Sequence, residues 1–360
     1  MRISSVRLLR YDLPLVRPLT VKSVNMTIRT GLILRLTDEK GNIGYGEIAP
    51  LAGFHRETLE DVLKQLLATE PFLIGLLIPD NVVKLDGGMD ELFHSLDMLP
   101  TVRFGVEMAV LNLVASSKGR PLHELFGLPF NRFIPVNGLL SGNRDEILKQ
   151  AAYLSGQGYV SIKIKVGRGD IASEIELIRD IRRIISADIS IRLDANRSWT
   201  LDEAVFFGEA ISDTGVDYIE EPVNDCRMLE AFYQRTKIPT ALDETIAVCP
   251  FDSIVQICGI KAVVIKPCFA GGVEKTVAIM KHAKKANIIP VLSSPFNSGL
   301  GLAFIAQIAA VFSPQDVAVG LDTFRWFKQD VFDFHVSNGF ADIHEIGEKR
   351  ILCQFLKPCN

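Results

Sequence analysis

From Phe133 to Gly320 one unit recurs: a short β-branched run, a polar break, then a helical stretch. Five successive runs, SIKIK, ISIRLD, VDYIE, IPTALD and KAVVIK, each close on a bare charge: Lys165, Asp194, Glu220, Asp243 and Lys266. Charges are rarely buried unless they find partners, so strands that end this way must bring their ends together. Eight runs fit the repeat: FIPVNG, VSIKIK, ISIRLD, DYIEE, PTALD, AVVIK, IIPVLS and VAVG. Their helical spacers predict parallel pairing with right-handed crossovers, hence an α/β barrel of the (β/α)8 type. A doubly wound open sheet is the rival, but it would spread the five charges along a line, too far apart to share one ion.

Asp194, Glu220 and Asp243 offer three hard oxygen ligands from neighbouring strands. Mg2+ suits such a site, with Mn2+ as a substitute, whereas zinc would ask for His or Cys and no histidine falls at a strand end. An Asp at a strand–helix junction often caps the next helix instead. Three in succession flanked by lysines favour the metal reading. Lys163 and Lys165 alternate along one strand, so both point to one face; Ile162, Ile164 and Val166 need the helix layer, which sends the lysines inward. Adjacent ammonium groups near a cation are expected to push down each other's pKa, as a general base requires. Lys165, nearer the mouth, is the expected base, with Lys163 tuning it; solvated lysines on an edge strand are the bland alternative. Lys266, across the mouth, would act on the opposite face of a substrate or steady a developing anion. Arg192 shares the inward face of Asp194 and is expected to pair with the ligand carboxylates. Asn196, Glu221 and Glu244 are candidates to orient ligands or bind the lysines. Ser293 and Ser294 offer hydroxyls to a substrate carboxylate, or an ordinary helix cap. Together these groups predict removal of a proton next to a metal-bound carboxylate, with the dianionic charge stabilised where it develops.

The rest of the chain limits the setting. A net charge of −4 argues against a nucleic-acid surface. No apolar run approaches the roughly 20 residues of a membrane span. The opening MRISSVRLLRYDLPL reads as a strand and not as a signal peptide. Six scattered cysteines without a CxxC pair read as reduced thiols, and a cytoplasmic enzyme is expected. A homo-oligomer is compatible with these features but not indicated by them. Residues 1–125 read as an α+β domain: two strands, a turn at Glu39–Asn42, a third strand, a helix starting near Arg56 or Thr58, and a longer helix stopped by Gly119. Residues 126–320 form the expected barrel, and residues 321–360 a segment returning to the first domain.

The runs KIK (163–165), DAN (194–196), EEP (220–222), DE (243–244) and IKP (265–267) resemble the enolase superfamily, in its muconate-lactonizing subgroup. The resemblance spans essentially the whole chain and implies a modified (β/α)7β barrel with an N-terminal α+β capping domain. It implies Asp194, Glu220 and Asp243 as magnesium ligands and Lys165 with Lys266 as the facing catalytic pair. GYGEIAPLAGFHRET (44–58) resembles the mobile capping loop of the o-succinylbenzoate synthase family, with Ala52 in place of a second proline. That likeness implies a lyase of menaquinone biosynthesis that dehydrates a small cyclohexadiene carboxylate. Lys165 would act as base and then acid, Lys266 would stay an ammonium facing the ring, and Leu51 and Phe54 would close the site. Phe54 could equally be domain-interface packing. Where some relatives carry Glu after the two serines, this chain has Asn297, leaving contacts to the succinyl arm open.

N-acylamino acid racemases, dipeptide epimerases and cycloisomerases of the subgroup share the lysine pair. Dipeptide epimerases add an Asp-x-Asp after strand eight, and this chain has only Asp322 there. Acid-sugar dehydratases place a His where Ser293 and Ser294 stand. A barrel that only binds or scaffolds is disfavoured by the intact lysines and carboxylates.

Overall fold

The computed structural model describes residues 1–359. Three antiparallel strands begin the chain: β1 (Ile3–Val21), β2 (Val24–Asp38) and β3 (Ile43–Ile48). Alternation buries Val6 and Leu8 on one face of β1 and Tyr11, Leu13 and Leu15 on the other. The β2–β3 turn is held by Asp38, whose carboxylate accepts from the Lys40 and Asn42 backbone N–H groups at 2.9 Å each. Gly41 supplies the positive φ that this turn requires. The helix Leu59–Leu73 starts at Thr58, which exchanges capping bonds with Asp61. A longer helix, Pro100–Lys118, ends at Gly119 with φ 62°.

That helix lies against β3 so closely that only glycines fit the seam. A Cβ on Gly46 would stand 1.8 Å from the Gly105 carbonyl oxygen, and one on Gly105 would meet the Ile48 side chain at 2.3 Å. The contact joins helix backbone to strand backbone, so neither side can turn a rotamer to make room.

Parallel strands follow: β5 (Gly138–Leu140), β6 (Ser161–Lys165), β7 (Ser190–Asp194), β8 (Val216–Glu220), β9 (Thr240–Leu242), β10 (Ile260–Ile265) and β11 (Ile289–Leu292), side by side in that order. Two of the eight expected strands differ from the reading above. FIPVNG is split, because Pro135 has no N–H to continue the ladder. Its first half, β4 (Phe133–Pro135), pairs antiparallel with β12 (Phe340–Asp342), and its second half begins the parallel sheet as β5. VAVG contributes only a two-residue bridge, yet that bridge closes the ring. Val319 N–H donates to Pro135 O at 2.8 Å and Asn137 N–H to Val319 O at 2.9 Å. On the other side Gly320 N–H reaches Leu292 O at 2.8 Å. The result is a (β/α)7β barrel beside a separate α+β sheet. The short strand β13 (Lys357–Pro358) pairs with Leu9 and Arg10 on β1, so the chain end joins the first sheet. No helix among the described residues is long and apolar enough to cross a membrane.

Buried carboxylates tie the two sheets together. Glu107, on the Pro100–Lys118 helix, accepts from the first two N–H groups of the Val273–Lys285 helix, at 2.6 and 3.0 Å. Glu274 returns the favour to Gly87, Met89 and Asp90, at 2.9, 3.3 and 2.9 Å. Gly46→Ala is expected to destabilise the protein by about 1–3 kcal/mol through overpacking. A lower urea midpoint at unchanged slope would show it, and an unshifted midpoint would contradict the seam.

Candidate functional site

Strand register sets the site. Lys165 on β6 pairs with Asp194 on β7, and Asp194 with Glu220 on β8, so three strand ends stand in one row at the C-terminal mouth. Glu220 pairs in turn with Ala241, which places Asp243 two residues further along the next strand. Ile162 and Ile164 are buried under the helix layer, and Lys163 and Lys165 face inward as their alternation predicts. Lys163 Nζ bridges Asp194 Oδ2 at 3.0 Å and Glu220 Oε2 at 2.6 Å. Lys165 Nζ lies 3.4 Å from Asp194 Oδ2 and donates to Asn196 Oδ1. Lys266 Nζ is bonded to Asp243 Oδ2. The two expected reacting amines therefore flank the carboxylates from opposite sides. Lys165 is the more open of the two, 36% exposed against 12% for Lys266.

Charge sets the electrostatics. Burial and the neighbouring Asp194 push Glu220 up to about 8. Burial also raises Asp194, but Lys163 and Lys165 outweigh it and hold this carboxyl well below its usual range. Burial pulls Lys163 down, yet Asp194 and Glu220 win and its pKa rises well above the ordinary lysine value. At Lys163 two carboxylates within 3.0 Å outweigh one neighbouring amine.

A divalent cation is the other counter-charge these residues could take. Glu220 Oε1 is buried without a partner, and three hard carboxylates match magnesium's preference. The donor set fits such an ion. Among the described residues no three acidic, His or Cys side chains are already grouped to hold a metal. Each carboxylate has instead turned to its nearest ammonium, which is how a buried anion is compensated when lysines are within reach. Binding an ion would require Lys163 and Lys266 to yield these oxygens.

The supporting residues divide. Asn196 bridges Lys165 and Glu244, donating to Glu244 Oε1 at 3.3 Å. Glu244 keeps its other oxygen, Oε2, buried and unpartnered. Glu221 is fully buried and accepts from Asp243 N–H at 2.9 Å and from Thr245 N–H at 2.7 Å, holding the turn that presents Asp243. Arg197, which the sequence reading missed, donates to Glu221 at 3.0 Å. Both Asn196 and Arg197 have positive φ, a backbone cue that no residue type announced. Ser293 stays half-buried, its hydroxyl 3.4 Å from Gly320 O. Ser294 is buried. It donates to Asn297 Oδ1 at 3.0 Å, and Asn297 donates to Glu47 Oε2 at 2.9 Å. Glu47, also overlooked, accepts from the Tyr11 hydroxyl as well. Asn297 is thus a tie between the barrel and the first sheet.

Arg192 corrects the reading above. Its side chain faces inward but runs away from the mouth, pairing with Asp217 at 3.3 Å and donating to Ala318 O at 2.6 Å. Two residues of strand, roughly 6.6 Å, separate its Cα from Asp194. Asp217 on the adjoining strand is the nearer counter-ion.

The 44–58 segment closes over this mouth. Leu51 is buried with Leu15, Leu19 and Trp326. The Phe54 ring centroid is 4.7 Å from Lys266 Nζ and 5.0 Å from the Phe269 ring, so Phe54 both packs and touches the site. Arg29, absent from the sequence reading, pins the segment by donating to Pro50 O at 2.9 Å and Phe296 O at 3.0 Å.

Comparison with known proteins gives this geometry a family. Residues 146–345 match the enolase C-terminal domain-like family, more than half the chain. The chain belongs to the enolase superfamily. Residues 3–74 match the MenC N-terminal domain. The chain is 34% identical over 338 residues to protein PHYLLO of Arabidopsis thaliana, covering 84% of this chain but only 20% of that much longer protein. It is 32% identical over 327 residues to o-succinylbenzoate synthase of Vibrio cholerae, covering 89% of this chain and 90% of that one. Its relatives thus include enzymes named o-succinylbenzoate synthase, and the chain is an enzyme of the superfamily. Two solved structures share the fold. Muconate lactonizing enzyme from Pseudomonas fluorescens, complexed with muconolactone, gives a TM-score of 0.85 at 20% identity, covering 99% of each chain. A dipeptide epimerase from Cytophaga hutchinsonii, complexed with Mg and a dipeptide, gives 0.82 at 23%, covering 95% of this chain and 94% of that one.

Asp322, the acid of the GLDT run after the last barrel segment, is committed elsewhere. It accepts from Leu139 N–H at 2.8 Å, from the Tyr159 hydroxyl at 3.1 Å and from Arg325 at 3.1 Å. Burial pushes it up to about 6 despite Arg325. Its folded value therefore exceeds the roughly 3.9 of an unfolded Asp, so the unfolded chain releases its proton first. The stability of the native chain relative to Asp322→Asn should be greatest below pH 4 and should fall as pH rises through 6. Paired denaturation curves at pH 4, 5 and 7 would show this, and a constant difference would refute it. Arg192→Met should lower stability by about 1–3 kcal/mol while leaving Mn2+ affinity within twofold; a large loss of metal affinity would return Arg192 to the mouth.

Proposed function

We propose that this enzyme is an o-succinylbenzoate synthase of menaquinone biosynthesis. It would convert 2-succinyl-6-hydroxy-2,4-cyclohexadiene-1-carboxylate to 2-succinylbenzoate and water. The reading is carried by the N-terminal segment, which matches the MenC N-terminal domain and delivers Phe54 to Lys266 at 4.7 Å. Relatives of that name, matched over nine-tenths of their length, support it.

In this reading Asp194, Glu220 and Asp243 hold Mg2+, which would polarise the substrate carboxylate and lower the cost of the dianion. Lys165, open toward the mouth, removes the α-proton; Asn196 holds its amine in position. The same Lys165, now carrying that proton, gives it to the departing hydroxyl on the same face, and the ring becomes aromatic as water leaves. Lys266 remains an ammonium. Its place beneath the Phe54 ring shows that it can sit against a π face, the contact the dienediolate ring would offer. Glu221 and Arg197 keep the Asp243 turn rigid, and the Arg29-pinned segment excludes water.

The second reading is racemisation of an N-acylamino acid, favoured by one feature: Lys165 and Lys266 stand on opposite flanks, as a two-base exchange requires. Against a dipeptide substrate stands Asp322, already neutralised by Arg325.

Purified protein with Mg2+ and the cyclohexadiene carboxylate should yield the aromatic product, followed by ultraviolet absorbance. Lys165→Ala should lower kcat at least a thousandfold while metal affinity changes little. Phe54→Ala should act mainly on KM. Silence in this assay together with deuterium incorporation into N-succinylamino acids would transfer the assignment to racemase. Turnover surviving in Lys165→Ala would remove Lys165 from the base role.

A further inference from the structure

We propose that Cys226 and Cys249 form a reversible disulfide that clamps the loop after β8 to the loop after β9. Their sulfurs lie 3.2 Å apart although 23 positions separate them in the chain. Both thiols are free and partly exposed, so a small reagent can reach them. The other four cysteines have no comparable sulfur contact among the described residues. A disulfide needs about 2.05 Å between sulfurs, so closure asks for a shift of roughly one ångström shared between two surface loops.

Placement gives the bond a consequence. Cys226 opens the one-turn helix Cys226–Met228, six residues after Glu220. Cys249 ends the turn after Asp243, and its N–H donates to Thr245 O at 3.0 Å. Thr245 is held in turn by Glu221 at 2.7 Å through both its N–H and its hydroxyl. The two loops thus belong to the strands that present Glu220 and Asp243, and a covalent tie would stiffen the frame behind both carboxylates. None of the residues assigned a role in the reaction is consumed by it.

The step balances with a low-molecular-weight organic disulfide as oxidant. One cysteine thiolate attacks a sulfur of the reagent and releases one reagent thiol. The second thiolate attacks the protein sulfur of that mixed disulfide and releases the other. Two protein thiols are oxidised, one reagent disulfide is reduced to two thiols, and the two protons pass to those thiols.

The test is to incubate the full-length enzyme with oxidised glutathione, then compare non-reducing peptide maps, melting midpoints and turnover before and after reductant. The expected result is a peptide cross-linked through Cys226 and Cys249, together with a midpoint higher by about 3–6 °C. Dithiothreitol should reverse both, and turnover should stay within twofold. The exposed Cys258 and Cys353 should carry only glutathione adducts. Cys226→Ser and Cys249→Ser should each abolish the cross-link and the thermal shift, with reduced-state turnover unchanged. Separate glutathione adducts on Cys226 and Cys249, a bridge from either to Cys258, or a cross-link without a rise in midpoint would overturn the proposal. If one serine variant fails to fold, the other, with the peptide map of the unmodified chain, still decides it.

Discussion

A lysine bridging two buried carboxylates is the interaction on which this molecule turns. Lys163 holds both Asp194 and Glu220 inside the barrel mouth, and Lys266 holds Asp243. Removing three carboxylates from water is costly, and a barrel lumen could not keep them ionised without ammonium groups alongside. That requirement explains why the strands end as they do. It also leaves Glu220 with a raised pKa and an unpartnered oxygen, the residual polarity that an added divalent charge would satisfy.

The mouth is completed from outside the barrel. Glu47 on β3 collects the Tyr11 hydroxyl, the Asn297 amide and the Ser298 N–H. Arg29 on β2 collects carbonyls from Pro50 and Phe296. Glu107 and Glu274 cap each other's neighbouring helices. Apart from the Tyr11–Glu47 and Arg29–Pro50 bonds, which lie within the N-terminal part, these contacts cross to the barrel, and every one is buried or half-buried. The segment carrying Leu51 and Phe54 is fixed by polar bonds at both ends, through Arg29 on Pro50 O and the Thr101 hydroxyl on Glu57, and not merely laid on an apolar surface. Such bonds lose their worth if the two parts separate, because the buried partners would stand unsatisfied.

The same barrel geometry recurs in a muconate lactonizing enzyme and a dipeptide epimerase, as expected when function resides in a site grafted onto a fold. In this chain paired lysines and buried carboxylates stand together at the mouth, the combination on which the proposed proton removal rests. Asp322 lies apart from that set, its charge already spent on Arg325.

Much of the arrangement was legible in the residue order. Strand periodicity with terminal charges determined the barrel, the inward lysines and the shared row of Lys165, Asp194 and Glu220, because side-chain alternation is a local property that register carries across a sheet. Thr58 and Gly119 announced helix ends for similarly local reasons. Arg192 shows where this reasoning stops. Its face was correct, but a long side chain can reach either way along the lumen, and only the packed neighbour Asp217 chose. The role of Asn297 was open in the sequence, and its partner Glu47 comes from a strand 250 residues away. The carboxylates' actual partners were likewise settled by proximity in three dimensions, since a buried anion takes the nearest cation and sequence separation says nothing about which one that is.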